Sequence, residues 1–143
     1  MKNKKLYYVL NLTWGLPMTL LGAIVAIVLL IIGKKPKRHG GCWYFNVGKS
    51  WGGCELGLFF LTDGQDNDSV KTHEFGHSIQ NARFGLLMPF IVCIPSAVRY
   101  WYRELWFYRR GRRPKTAYDD IWFEGQATRL GKENLRYWEN EKG

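Results

Sequence analysis

The longest apolar stretch of this chain comes first. No charged residue occurs from Leu6 to Gly33, and residues 18–33 read MTLLGAIVAIVLLIIG. A helix needs roughly 20 apolar residues to cross the hydrocarbon core of a bilayer, so the stretch predicts an N-terminal transmembrane helix. A cleaved signal would have a shorter apolar core, about 7–15 residues, and a small-residue cleavage site. Here the run ends in GKKPKRHGG, a stop-transfer flank, so residues 1–33 read as a retained membrane anchor. Pro17 marks a start or a kink, and LYYVLNLTW before it suits the lipid–water interface.

Residues 34–41 then form a basic Gly/Pro linker. From 42 to 62 the pattern changes to glycines alternating with aromatics and β-formers. It predicts a β-hairpin with turn signals at Gly48-Lys49-Ser50 and Gly52-Gly53. TDGQDND is a polar loop whose Asp66, Asp68 and Ser69 offer caps for a helix beginning near Ser69 and stopping at Gly85. A second apolar run, Leu86–Val98, is 13 residues long and holds Pro89 and Pro95. It is too short and too broken for a simple span; it either dips into the bilayer or is buried as core. RYWYRELWFYRRGRRPK follows, with six aromatics among Tyr100–Tyr108. That mixture predicts a segment at headgroup level, rings inward and guanidinium groups on phosphates; a solvated basic helix is the plainer alternative. A last helix runs from about Thr116 to Gly131, before a polar tail at 132–143. The fold class is therefore α+β and mostly helical. A domain at 42–131, including the membrane-proximal segment 86–108, hangs on the anchor.

Composition sharpens the membrane reading. The 143 residues suit one domain plus an appendage. Twenty-one Lys and Arg against 12 acids give a net charge of +9, which calls for an anionic partner. Seven Trp and eight Tyr favour a bilayer with anionic headgroups, because these rings concentrate at its boundary. Nucleic acid, which also takes Arg with aromatics, ranks well behind. The positive-inside rule puts residues 34–143 on the cytoplasmic side of a membrane, against three N-terminal lysines. The three cysteines, Cys42, Cys54 and Cys93, include no CxxC and make neither a disulfide framework nor a cysteine zinc site. Cys42 and Cys54 can bond only in an oxidising compartment; Cys93 reads as buried and inert.

Two of the three histidines fall in DSVKTHEFGHSIQ, Asp68 to Gln80, in the order His73-Glu74-Phe75-Gly76-His77. Residues four apart share a helix face, so His73 and His77 can hold one metal. Glu74, at the edge of that face, can take a proton from a zinc-acidified water without ligating. A structural His pair on a polar face is the plainer reading. A catalytic zinc needs a third protein ligand. His39 is poorly placed in the linker, and Gln80 and Phe84 occupy the face downstream. Glu124 in YDDIWFEGQATRLG is the better candidate, since Gly125 and Ala127 let its helix come close. Asp119 and Asp120 are alternatives, as ligands or as acceptors for a histidine N–H. Tyr118, with Arg129 behind it, is the first choice for a donor to a developing oxyanion.

The combination HEFGHSIQNARFG, PFIVCIPSAV and YDDIWFEGQATRLG resembles the gluzincin zinc metallopeptidases. It is closer still to small bacterial membrane-associated proteins with an HEYGHxxQ motif. The resemblance covers about residues 50–131. It implies His73, His77 and Glu124 as Zn2+ ligands, Glu74 as general base, and a zincin-like fold. In that fold a strand from residues 51–62 runs beside the HExxH helix and pairs with an extended peptide substrate. It also implies a departure: Thr128 stands where the family often carries an Asp that orients a ligand histidine. The expected function is a membrane-anchored zinc metallopeptidase hydrolysing peptide bonds of a peptide or protein near the membrane surface. The alternatives are a non-catalytic membrane adaptor with a structural or relic zinc site, and an anionic-lipid-binding protein.

Overall fold

In a computed structural model that describes residues 1–112, 114–115 and 120–140, the uncharged run folds as two helices, not one. They are α1 (Lys4–Leu12) and α2 (Leu16–Ile31), bent 83° from each other. The break has local causes. Gly15 precedes α2, and Pro17 sits in its first turn, where proline's missing N–H costs nothing. The Gly15 carbonyl accepts from Thr19 N–H at 3.3 Å and also from the Asn81 amide at 3.0 Å. The 16 residues of α2 rise roughly 24 Å, short of a hydrocarbon core of about 30 Å. Among the described residues no single helix is long and apolar enough to cross a membrane. Two bent pairs are, by length and composition only: Lys4–Leu12 with Leu16–Ile31, and Asp68–Leu87 with Pro89–Arg110. The expected single transmembrane helix is therefore replaced by a bent pair, with Pro17, read as a start or a kink, in the first turn of α2.

Nor is that pair a separate appendage. α2 buries Met18, Thr19, Gly22, Ala26 and Leu29 and leaves Leu20, Leu21, Ile24, Ile27 and Val28 exposed. A Cβ on Gly22 would lie 2.2 Å from the Leu56 carbonyl oxygen, so α2 rests directly on the sheet. α1 sinks Tyr7 into the main core, where its hydroxyl meets Ser78 Oγ at 2.6 Å and Cys42 Sγ at 3.1 Å. Asn11 accepts from the Asn81 amide at 2.7 Å.

The sheet holds β1 (Lys37–His39), β2 (Cys42–Asn46), β3 (Gly53–Leu56) and β4 (Phe59–Thr62), in the order β1-β2-β4-β3. The segment expected as a linker carries β1, which turns into β2 through Gly40-Gly41. The expected hairpin across Gly48-Lys49-Ser50 and Gly52-Gly53 does not form. β2 pairs in parallel with β4, and the true hairpin joins β3 to β4 through Gly57 (φ +72°) and Leu58. The reason is competition: FFLT of β4 offers strong β-formers to strands on both sides. Residues 47–52 become a loop, bracketed by the Asp63 carboxylate, which accepts from Trp51 N–H and Gly52 N–H at 3.0 and 2.9 Å.

α3 (Asp68–Phe84) carries the HExxH motif and stops at Gly85 (φ +53°). Its cap is Asn67, whose side chain accepts from Ser69 N–H at 2.8 Å, and not Asp66, Asp68 or Ser69. Phe75, Ile79 and Ala82 bury against Tyr7, Tyr44, Phe60, Leu130 and Trp138. A 3-10 turn (Gly85–Leu87) and a π-helical turn (Pro89–Cys93) lead into α4 (Ile94–Arg110). α5 runs from Trp122 to Asn140, so the helix expected to stop at Gly131 continues through the polar tail as far as Asn140. Phe123, Ala127, Leu130, Asn134 and Trp138 form one buried stripe that runs past Gly131. The architecture is α+β, mostly helical, with the hairpin β3–β4 beside α3.

Candidate metal centre

α3 and α5 cross with almost no side chain between them. A Cβ on Gly76 would lie 1.8 Å from the Ala127 carbonyl oxygen, and one on Gly131 would lie 1.9 Å from that of Thr72. This contact brings Glu124, in the first turn of α5, onto the histidine face of α3. Glu124 Oε2 lies 3.0 Å from His73 Nε2 and 3.1 Å from His77 Nε2, and the two Nε2 atoms are 3.1 Å apart. A tetrahedral ion with bonds of about 2.0–2.1 Å needs ligand separations near ~3.3 Å. Three donors of zinc-binding type converging at these distances fit such an ion. Among the described residues this is the group of His, Cys, Asp and Glu able to hold a metal.

The far side of each ligand is also fixed. His73 Nδ1 meets Thr128 Oγ1 at 2.8 Å, and His77 Nδ1 meets Gln80 Oε1 at 2.7 Å. With Nδ1–H donating to these oxygens, each Nε2 lone pair is left for the centre. Gln80 is held in turn through its amide N–H2 by Phe123 O and Gln126 Oε1, at 2.8 and 2.9 Å. Ser96, from α4, donates to the other oxygen of Glu124. Burial pushes the Glu124 carboxyl up, but the His73 and His77 rings against it and the Ser96 hydroxyl outweigh burial and draw the group below the usual carboxylate range.

Glu74 stands outside the triad. It is 6% exposed, and a Cβ on Gly53 of β3 would lie 2.6 Å from its Oε1. A larger residue at position 53 would have to displace the Glu74 side chain. Burial raises the Glu74 carboxyl above its ordinary value, with His77 and His73 pulling it back. Two adjoining cavities, of about 430 and 420 Å³, share Trp51, Gly53, His73, Glu74 and Tyr100 as walls. The first continues among Met18, Leu56, Met88, Val92, Ala97 and Trp101. The second is polar and continues to Ser69, Arg103, Glu104, Thr128 and Lys132.

His73, His77, Glu74 and Glu124 thus meet at one place. His39 does not join them; its Nε2 lies 3.2 Å from Thr72 Oγ1. Asp120 and Arg129 are exposed, and neither lines the two cavities. Tyr118 and Asp119 lie outside the described residues. The cysteines are free thiols, and Cys42 and Cys54 sit on strands with β4 between them, too far apart to bond. The residues that sequence reasoning passed over are Gln80, Ser96, Gly53 and Tyr100. Gln80 carried a signal, three residues after His77 and so on its face; Ser96 carried none. Comparison with protein-family models, with curated proteins and with solved structures finds no match for this chain.

Proposed function

We propose that this protein is a membrane-associated zinc metallopeptidase of gluzincin type, hydrolysing peptide bonds near a bilayer surface. The observation that carries the reading is the convergence of His73, His77 and Glu124 beside a buried Glu74 that does not ligate. Two imidazoles and one carboxylate suit zinc, which when bound there polarises a scissile carbonyl and acidifies water. Thr128 and Gln80 keep each histidine in the tautomer that presents Nε2.

Glu74 is the base. Its carboxylate takes a proton from the attacking water, holds it at a carboxyl oxygen inside the protein, and returns it to the leaving nitrogen. Burial brings its affinity for that proton closer to neutral pH, which suits a group that must both accept and give. β3 lies at the rim of the sheet. Its outer edge, unpaired among the described residues, can bond an extended peptide laid across Glu74. An oxyanion donor is still required, and Tyr118 remains the candidate. A structural zinc site calls for a fourth protein ligand, which is what separates the adaptor from the catalytic reading; among the described residues the group is His73, His77 and Glu124. The exposed apolar face of α2 and the basic residues after it (Lys34, Lys35, Lys37 and Arg38) support a location at an anionic membrane surface.

Glu74→Gln is expected to keep stoichiometric zinc and lose about 10²–10⁴-fold in hydrolysis. Glu124→Ala is expected to lose the zinc. Metal analysis with a peptide-hydrolysis assay checks both, and zinc-free wild-type protein after purification in zinc-replete buffer sinks the proposal.

A further inference from the structure

α4 is amphipathic the wrong way round for a helix that completes a core. Ile94, Val98, Trp101, Leu105 and Tyr108 follow the spacing i, i+4, i+7, i+11, i+14, which stacks them on one face. Each is between 51% and 87% exposed, and α4 has no buried residue. Its other face looks inward. There Ser96 donates to Glu124, and Tyr100 and Arg103 line the polar cavity. The polar side of the helix therefore serves the site, and the apolar side meets the surroundings. The turns before α4 extend that apolar surface with Leu86, Leu87 and Phe90.

This surface reaches the site. Trp101 belongs to the exposed stripe and also walls the apolar cavity; Met18 brings α2, with its own exposed apolar face, to the same cavity. The charge around the stripe identifies what covers it. Within α4 stand Arg99, Arg103, Arg109 and Arg110 against a single acid, Glu104, and Arg110 lies over the Trp106 ring at 5.0 Å. Apolar side chains bordered by Trp, Tyr and Arg match an anionic bilayer surface.

We infer that the apolar cavity opens onto the bilayer and that the substrate is a polypeptide segment held in that bilayer. An apolar side chain of this segment passes from the lipid into the pocket of Met18, Leu56, Met88, Val92, Ala97 and Trp101. The chain beside it crosses Glu74 along β3. This inference names the substrate class of the peptidase site and rests on that reading.

The test places the full chain, as the Glu74→Gln variant with a photo-crosslinking phenylalanine at Ala97, in vesicles of phosphatidylcholine and phosphatidylglycerol. The probe is a peptide with one apolar span, compared with its juxtamembrane part alone and with the spanning peptide in separate vesicles. The expected result is crosslinking to the spanning peptide in the same vesicle, at least about tenfold above either control, as co-confinement raises effective concentration. Trp101→Glu at the rim is expected to remove that preference. Equal crosslinking to the soluble part overturns the inference. So does crosslinking to a second copy of this chain or to acyl chains alone. Wild-type hydrolysis of the same probes separates the two readings. Selective crosslinking without hydrolysis overturns the peptidase and keeps the bilayer-side cavity as a binding site. Hydrolysis of both probes at equal rates does the reverse.

Discussion

Replacing Gly76 by alanine tests the geometry on which the metal centre stands. The added Cβ would meet the Ala127 carbonyl oxygen at 1.8 Å, where ordinary contact begins at 3.4 Å, so α3 and α5 must separate by 3.4 − 1.8 = 1.6 Å. Both sides of this contact are backbone-fixed, and no flexible side chain can yield. The histidines ride on α3 and Glu124 rides on α5, less than one turn from Ala127. Metal–ligand distances tolerate only about ±0.2 Å, so the shift takes Glu124 out of bonding range. Weakening a supporting hydrogen bond costs roughly 10–100-fold in affinity; losing a ligand is expected to cost at least about 100-fold. Overpacking adds about 1–3 kcal/mol of destabilisation, or on the order of 3–10 °C in Tm for a chain of this size. The assay is a zinc titration against a chromogenic chelator, followed by thermal unfolding with and without zinc. Wild type at a hundredfold excess over Kd gains about 2.7 kcal/mol from the ion, and Gly76→Ala is expected to gain almost none. Gly22→Ala is the control, because its Cβ would lie 2.2 Å from the Leu56 carbonyl oxygen, at a contact between α2 and β3, neither of which carries a member of the triad. It is expected to lose stability and keep its affinity. Wild-type zinc affinity in Gly76→Ala refutes the reasoning.

Thr128→Val removes the oxygen that faces His73 Nδ1 and is expected to weaken zinc binding roughly 10–100-fold; Thr128→Asp restores an acceptor and is expected to recover it in the same titration. Trp138→Ala is expected to cost about 3–5 kcal/mol by denaturant unfolding, because Trp138 is 4% exposed and packs on Tyr7 and Phe75. A solvated tail would give no such loss. Glu55 is buried with Oε2 unpartnered, and burial holds its carboxyl well above the usual range. The folded chain then keeps a proton that the unfolded chain releases near pH ~4.3. The associated stability is present below that pH and is lost as pH rises toward the folded value. Glu55→Gln, which keeps an acceptor for Gly57 N–H, is expected to flatten the fall of Tm between about pH 4 and 7; an unchanged slope argues against it.

The HExxH helix was legible because its ligands are local. Four residues on a helix fix a shared face, and Asn67 and Gly85 bound the helix within one residue of expectation. Glu124 could be nominated from its small neighbours, yet the close contact is made by Gly76 and Gly131, whose role appears only once the helices cross. The break before α2 was half legible: Pro17 marked a start or a kink, while 28 uncharged positions in a row argued for a span that α2 is too short to make. The end of α5 was masked because charged residues outnumber the buried stripe that runs on to Trp138. Strand order was not legible, because the choice of β4 as partner for both β2 and β3 depends on contacts across the whole sheet. Thr128 was read as a missing orienting carboxylate; its hydroxyl stands beside His73 Nδ1.

β4 is the last strand in the chain, yet it lies between two earlier ones. During folding, loop 47–52 has to keep β2 and β3 two strand spacings apart, about 9–10 Å, until the β3–β4 hairpin fills the gap. A direct β2–β3 pairing, with a ready turn at Gly48–Ser50, is the competing topology. It would leave both histidines on α3 but send β4 to the rim and hide the edge of β3. The Asp63 bracket on Trp51 and Gly52 holds loop 47–52 in the form that leaves room for β4, and its loss is expected to favour that other strand order.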